Sequence, residues 1–146
     1  MDVDRKNLRR LMNAVNAMDG AYALKTKQLD EKPNVMLLMY ALSTQEMSQK
    51  QLSDTWLTPL STINTVAREL VQRGLIVLEP INGRHRERLM RLTPAGRRFA
   101  KRLLKPFQHA EHAAMEKTVE EFGAQFVDAM EKYVEVFRRE LGIDVQ

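Results

Sequence analysis

The sequence contains no cysteine. Thiol nucleophiles, disulfide staples, cysteine-ligated zinc and thiol-based redox sensing are thereby excluded together. Glycine and proline are scarce, at six and five in 146 residues, and neither a low-complexity linker nor an internal repeat interrupts the chain. The longest apolar run begins at Val35 and falls far short of the roughly 20 residues a membrane-spanning helix needs, so no membrane partner is expected. Met1-Asp2-Val3-Asp4-Arg5 lacks the basic and then apolar stretch of a secretory leader, and a soluble, cytoplasmic protein is the expectation. There is no glycine-rich phosphate cradle and no serine-histidine-aspartate set in a recognisable setting. An enzyme is therefore not expected, and no cofactor is implied.

What is present is an ordinary globular composition, 44% hydrophobic and 29% charged. A chain of this length buries about 70% of its unfolded surface and folds without staples. The net charge of +4 is unevenly distributed. Residues 58–105 hold eleven Lys and Arg against three acidic groups, whereas residues 106–146 hold four against nine. The basic groups of the central block are mostly arginines, whose planar forks suit phosphates and guanine edges. So lopsided a block favours a nucleic-acid partner.

Apolar spacing predicts a helix from about Val3 to Leu29, with Leu8, Leu11, Met12, Val15, Met18 and Tyr22 on one stripe. After Asp30-Glu31-Lys32, Pro33 opens a second helix through Val35, Leu38, Met39 and Leu42. Residues 43–46 read as a loop. Ser48-Gln49-Lys50-Gln51 fits a capping box and predicts a short helix ending near Trp56. Thr58-Pro59 predicts the next start, with Thr58 as the capping hydroxyl and Gly74 as the stop. Leu75 to Glu79 and Arg88 to Leu92 read as two strands, with Asn82-Gly83 as the hairpin turn between them. Thr93-Pro94 starts a helix that Pro106 should kink or interrupt, and Thr118-Val119-Glu120-Glu121 predicts a capping box for a last helix. That last helix would carry Phe122, Phe126, Met130, Tyr133, Phe137 and Leu141 on one face.

Two short helices joined by a tight turn and followed by a hairpin describe a winged helix-turn-helix. The expected fold is mainly α, with a two-stranded β-hairpin wing and amino- and carboxyl-terminal dimerisation helices. Residues 33–105 form the DNA-binding domain, and residues 1–32 and 106–146 the helical dimerisation region. The apolar stripes of the first and last helices lack a partner in their own segments. Packing against a second copy is expected, since major-groove readers of this kind commonly act as dimers.

Each candidate DNA contact has a chemical reason. Ser48, Thr58, Ser61 and Thr62 offer hydroxyls to phosphate, although Ser48 and Thr58 serve first as helix caps. Lys50 opens the same helix start as Ser48. Asn64 can pair bidentately with an adenine edge, and Thr65 can hydrogen-bond or lay its methyl against thymine. Arg68 lies one turn on. Arg84, His85, Arg86 and Arg88 surround the hairpin tip, suited to the backbone or minor groove.

In these features the chain resembles the MarR family of winged-helix transcription regulators, over nearly its whole length. The resemblance rests on the helix order and on Ser48-Gln49-Lys50-Gln51-Leu52-Ser53 and Pro59-Leu60-Ser61-Thr62-Ile63-Asn64. It rests further on Leu70-Val71-Gln72-Arg73-Gly74-Leu75-Ile76 and, most specifically, on Leu89-Met90-Arg91-Leu92-Thr93-Pro94-Ala95-Gly96. It implies a homodimer with interlocked terminal helices, two wings on a pseudo-palindromic operator, a repressor's role, and often a small-molecule inducer. Two positions depart from the pattern. The family's wing tip commonly carries Asp-x-Arg, whereas Ile81-Asn82-Gly83-Arg84 has no aspartate, and Arg86 stands where the wing arginine is usually found. Thr65 stands where relatives often have arginine, so their base preference does not transfer.

Tyr22, Tyr40 and Trp56 could line a small-molecule pocket, although aromatics at such spacings are more commonly core. His109 and His112, three apart on a predicted helix with Glu111 and Glu116 nearby, raise the alternative of a metal-responsive regulator. The third histidine, His85, lies in the wing, so ligand number falls short and no metal site is assigned. A helical protein-interaction module built on the acidic carboxyl-terminal face is the other alternative.

Overall fold

The computed structural model describes the backbone of residues 2–143, and side chains within it apart from those of residues 2, 3 and 84–86. The described elements run α1 (Asp2–Gln28), α2 (Pro33–Thr44), β1 (Met47–Ser48), α3 (Gln49–Trp56), α4 (Leu60–Gln72), β2 (Ile76–Ile81), β3 (Arg84–Leu92), α5 (Pro94–Phe122) and α6 (Gln125–Glu140). The chain divides between Leu104 and Lys105 into two compact units. No described helix is long and apolar enough to cross a membrane.

In the first unit the core gathers around α2, where Val35, Leu38 and Met39 are fully buried. Leu52 of α3, Ile63, Ala67 and Leu70 of α4, and Met90 of β3 complete it. α4 is strongly amphipathic, so its spacing of 63, 66, 67 and 70 buries one face and leaves Ser61, Thr65 and Arg68 exposed on the other. Gly74, at φ +72, ends it as predicted, with the Leu75 amide reaching back to the Leu70 carbonyl.

The two-stranded wing is present as β2 and β3, and a third strand, which the sequence does not announce, joins it in the order β1-β3-β2. Met47 and Ser48 pair antiparallel with Met90 and Leu89, a two-residue strand too short to carry a periodicity signal. The hairpin strands are longer than predicted and meet at the Asn82-Gly83 turn, with Gly83 at φ +80. The register passes from Arg88 opposite Pro80 to Arg84 opposite Ile81, so three residues of β3 lie out of step. Proline, which cannot donate to a ladder, sits at that irregularity.

The start of α5 is tied to the end of α4. Thr93 caps α5 by accepting from the Gly96 amide at 2.9 Å and donates to the Gly74 carbonyl at 2.7 Å. Gly96 is required there, because a Cβ would overlap the Leu75 carbonyl.

The expectations about two helix starts fail. Thr58 does not cap α4. Its hydroxyl turns back toward the Trp56 carbonyl, while its own amide and carbonyl are held by Ser53, so α4 starts a residue later with Pro59 as N-cap. Pro106 does not interrupt α5, which continues through it. Thr118 lies inside α5, donating to the Ala114 carbonyl at 2.7 Å, and opens nothing. The break falls instead at Gly123, at φ +80, and α6 starts at Gln125 with no side-chain cap. Phe122 is therefore the last residue of α5 and not part of the α6 face.

In the second unit α6 combines a pronounced apolar stripe with no buried residue at all. Tyr133 and Phe137 stack on each other at 5.9 Å, and Phe137 and Leu141 are more than half exposed. In the first unit, among the described side chains of α1, Thr26 is the one buried residue, while Leu11, Met12 and Val15 are half-buried and Leu8 is exposed.

Candidate nucleic-acid interface

The helix-turn-helix is held by local chemistry. Ser48 accepts from the Gln51 amide at 3.0 Å and the Gln51 side chain accepts from the Ser48 amide at 2.8 Å, the capping box the sequence predicts. Ser48 is 1% exposed, so its hydroxyl serves the cap and is not offered to solvent. Leu57, at φ +50, turns the chain between the helices, and Ser53 donates to the Thr58 carbonyl at 2.7 Å to close that turn.

α3, α4 and the hairpin enclose a groove of about 740 Å³. Its lining brings together residues from three separate segments, Gln49 and Lys50, Asn64 and Arg68, and Arg88, with Ser48 beside them. Lys50, Arg68 and Arg88 are exposed, against one half-buried carboxylate, Glu87, so the groove is electropositive. Lys50 pairs with Asp54 at 2.7 Å. That hydrogen bond, then the charge of Asp54 and of Glu87, raises the lysine's pKa and keeps it cationic.

Two of the proposed base readers are already engaged. Asn64 Oδ1 accepts from Gln49 Nε2 at 3.0 Å, which links the two helices across the groove. Thr65 donates its hydroxyl hydrogen to the Ser61 carbonyl at 2.9 Å, leaving its methyl and its lone pairs to the exterior. Thr58 and Thr62 are half-buried at the turn and the first coil of α4. The backbone places Arg84, His85 and Arg86 just beyond the hairpin turn, and their side chains lie outside the described residues. Gln49 and Glu87 were not singled out from the sequence. Gln49 is marked out by its bond to Asn64, a contact no linear pattern records.

An ion-pair cluster lies at the other end of α4. Arg73 donates to both oxygens of Glu31, at 3.2 and 2.9 Å, and its guanidinium lies 5.1 Å from the Phe99 ring centre. Lys32 pairs with Glu69 at 2.9 Å. Burial pushes the Glu31 carboxyl upward, but the hydrogen bond from Arg73, the Lys32 amide and the two positive charges outweigh it and leave the pKa below the usual carboxylate range. The elbow between α1 and α2 is thereby fastened to the end of α4 and the start of α5.

The three aromatic residues flagged in the sequence meet. Tyr22, Tyr40 and Trp56 line one cavity of about 380 Å³ with Asp19, Thr26 and Met36. Tyr40 and Trp56 are tilted at 53° with centroids 6.1 Å apart, and Trp56 is 39% exposed, so it is not simply core. His109 and His112 are exposed on α5, and no group of three or more metal-ligating side chains is gathered among the described residues.

No protein-family profile matches the chain, and no curated protein sequence does. Solved structures do match its fold. A MarR family regulator from Neisseria meningitidis superposes with a TM-score of 0.79 at 22% identity, over 93% of this chain and 96% of that one. MepR from S. aureus, in its DNA-binding conformation, gives 0.74 at 17% identity over 91% and 98%. The transcriptional regulator BldR from Sulfolobus solfataricus gives 0.73 at 13% identity over 92% and 96%. The chain is thus similar end to end to winged-helix regulators, and the fold is the one the resemblance implies.

Proposed function

We propose that this protein is a sequence-specific, double-stranded-DNA-binding transcription regulator of the MarR type, acting as a homodimer. The observation that carries the reading is the electropositive groove between α3, α4 and the wing, in which Lys50, Asn64, Arg68 and Arg88 converge on a fold shared with regulators. In it α4 enters the major groove. Asn64, Thr65 and Arg68 read base edges, Ser61, Thr62 and Lys50 hold phosphates, and Arg84, Arg86 and Arg88 engage the flanking backbone or minor groove.

Dimerisation is supported by the uncovered apolar faces. A 16-residue amphipathic helix with no buried residue, α6, is a poor solution for a monomer. Phe126, Met130, Tyr133 and Phe137, together with Leu8, Leu11, Met12 and Val15, supply the material for an isologous contact. A dimer also presents two recognition helices to a pseudo-palindromic operator. Repression by occluding a promoter is what the resemblance implies, and the cavity at Trp56 offers a place for a small molecule that relieves it.

A mobility-shift titration tests the reading. Binding to duplex DNA that weakens steeply with salt, and sequence selection that persists above the non-specific background, are expected. Absence of binding to duplex DNA at low salt would overturn it in favour of a protein-interaction module. Preference for double-stranded RNA in competition would do the same for an RNA reader.

A further inference from the structure

The cavity between α1, α2 and α3 carries a chemical signature more specific than its location. On α1, Val15, Asp19, Tyr22 and Thr26 follow at spacings of four, three and four, so they share one helix face. Asp19 is thus an acid set into an otherwise apolar stripe. It is exposed, has no ion-pair partner among the described residues, and is the one acidic side chain in the cavity lining. No lysine, arginine or histidine lines the space. The Thr26 hydroxyl donates to the Tyr22 carbonyl at 2.7 Å, so the lining offers an anion neutral aromatic donors at most and no positive charge. The remaining walls are the rings of Tyr22, Tyr40 and Trp56 with the apolar side chains of Ala23, Pro33, Met36 and Leu37.

Aromatic faces are electron-rich, and a carboxylate beside them adds a full negative charge. An anionic guest would meet that charge with no cation to offset it. A neutral guest would gain only from burial. A cationic guest gains from the aromatic walls and from Asp19 together. The volume of about 380 Å³ accommodates on the order of 15 non-hydrogen atoms at interior packing density.

We infer that this cavity binds a hydrophobic organic cation, an aromatic amine or quaternary ammonium, caged by Tyr22, Tyr40 and Trp56 with its charge against Asp19. The inference rests on the reading of the cavity as the effector site. Trp56 is the single tryptophan of the chain and stands in the wall, so its fluorescence reports occupancy directly.

The test uses the whole chain and three probes built on one frame, phenyltrimethylammonium, its neutral isostere tert-butylbenzene, and the carboxylated anion 4-tert-butylbenzoate. The cation is expected to bind about tenfold more tightly than either of the others. Asp19→Asn should abolish that preference while leaving the neutral probe unchanged, and Asp19→Glu should restore it, with melting curves confirming that both variants fold. Equal or tighter binding of the anion, an Asp19→Asn variant that keeps the cation preference, or no fluorescence response to any probe would overturn the assignment. Saturable cation binding in a protein that does not bind DNA would leave the site standing and remove the regulator reading instead.

Discussion

The Glu31–Arg73 pair offers a quantitative test of how α4 is anchored. Replacing Arg73 by alanine removes two charge-assisted hydrogen bonds, at 2.9 and 3.2 Å, and the guanidinium over Phe99. The Arg73 side chain is 34% exposed and that of Glu31 only 11%, so the pair lies between a surface ion pair and a buried one. Surface pairs contribute up to about 1 kcal/mol and breaking a buried one costs about 3 to 5, which places Arg73→Ala near 2 kcal/mol. For a chain of this size that lowers Tm by about 4 to 8 °C. Glu31→Gln keeps the shape and loses the charge, and should cost about 1 kcal/mol. In a urea-unfolding double-mutant cycle at fixed protein concentration, the coupling should be about 1 kcal/mol at pH 7. Because Glu31 has a depressed pKa in the folded state, its contribution is present in full above about pH 4.5. It is lost as pH falls through the lower folded value. Additive mutants at pH 7, or a coupling unchanged at pH 3, would refute the argument that the pair holds the elbow to α4.

Other consequences follow from single contacts. Gly96→Ala should destabilise by about 1 to 3 kcal/mol, measured by denaturant unfolding, because the new methyl meets the Leu75 carbonyl and backbone cannot yield as a side chain would. Gln49→Ala should weaken specific DNA binding and alter base preference at the same step as Asn64→Ala, since Gln49 fixes the Asn64 amide; additive effects in a mobility-shift double-mutant cycle would show the two side chains acting separately. Phe137→Glu, on the uncovered face of α6, should convert a dimer to monomers in sedimentation and weaken operator binding steeply, and an unchanged mass would remove α6 from the interface.

Most of the winged helix was legible because its signals are local. Ser48 and Gln51, Thr93 and Gly96, and Asn82-Gly83 each act over two to four residues, and all three devices stand where the sequence places them. The boundaries that failed were decided by competition between signals. Thr118 matches a capping box, yet a continuing helix satisfies its backbone and Gly123 supplies the break that Thr118 does not. Thr58 precedes a proline, yet Ser53 captures its carbonyl first. The groove is legible in residue type and not in pairing. The exposure of Arg68 follows from helix periodicity, whereas the Gln49–Asn64 bond and the approach of Tyr22, Tyr40 and Trp56 depend on how helices cross. The net charge likewise concealed its own use, since a modest +4 divides into a basic groove-bearing segment and an acidic carboxyl-terminal one.

Selection of bound sequences from a pool of random duplex DNA addresses the central claim most directly. The protein should enrich a pseudo-palindrome whose half-sites lie about one helical turn, or a multiple of it, apart. Asn64→Ala should relax preference at one base step in each half while leaving the salt dependence nearly intact. Enrichment of no sequence over the starting pool, or equal losses by Asn64→Ala on selected and random DNA, would contradict it.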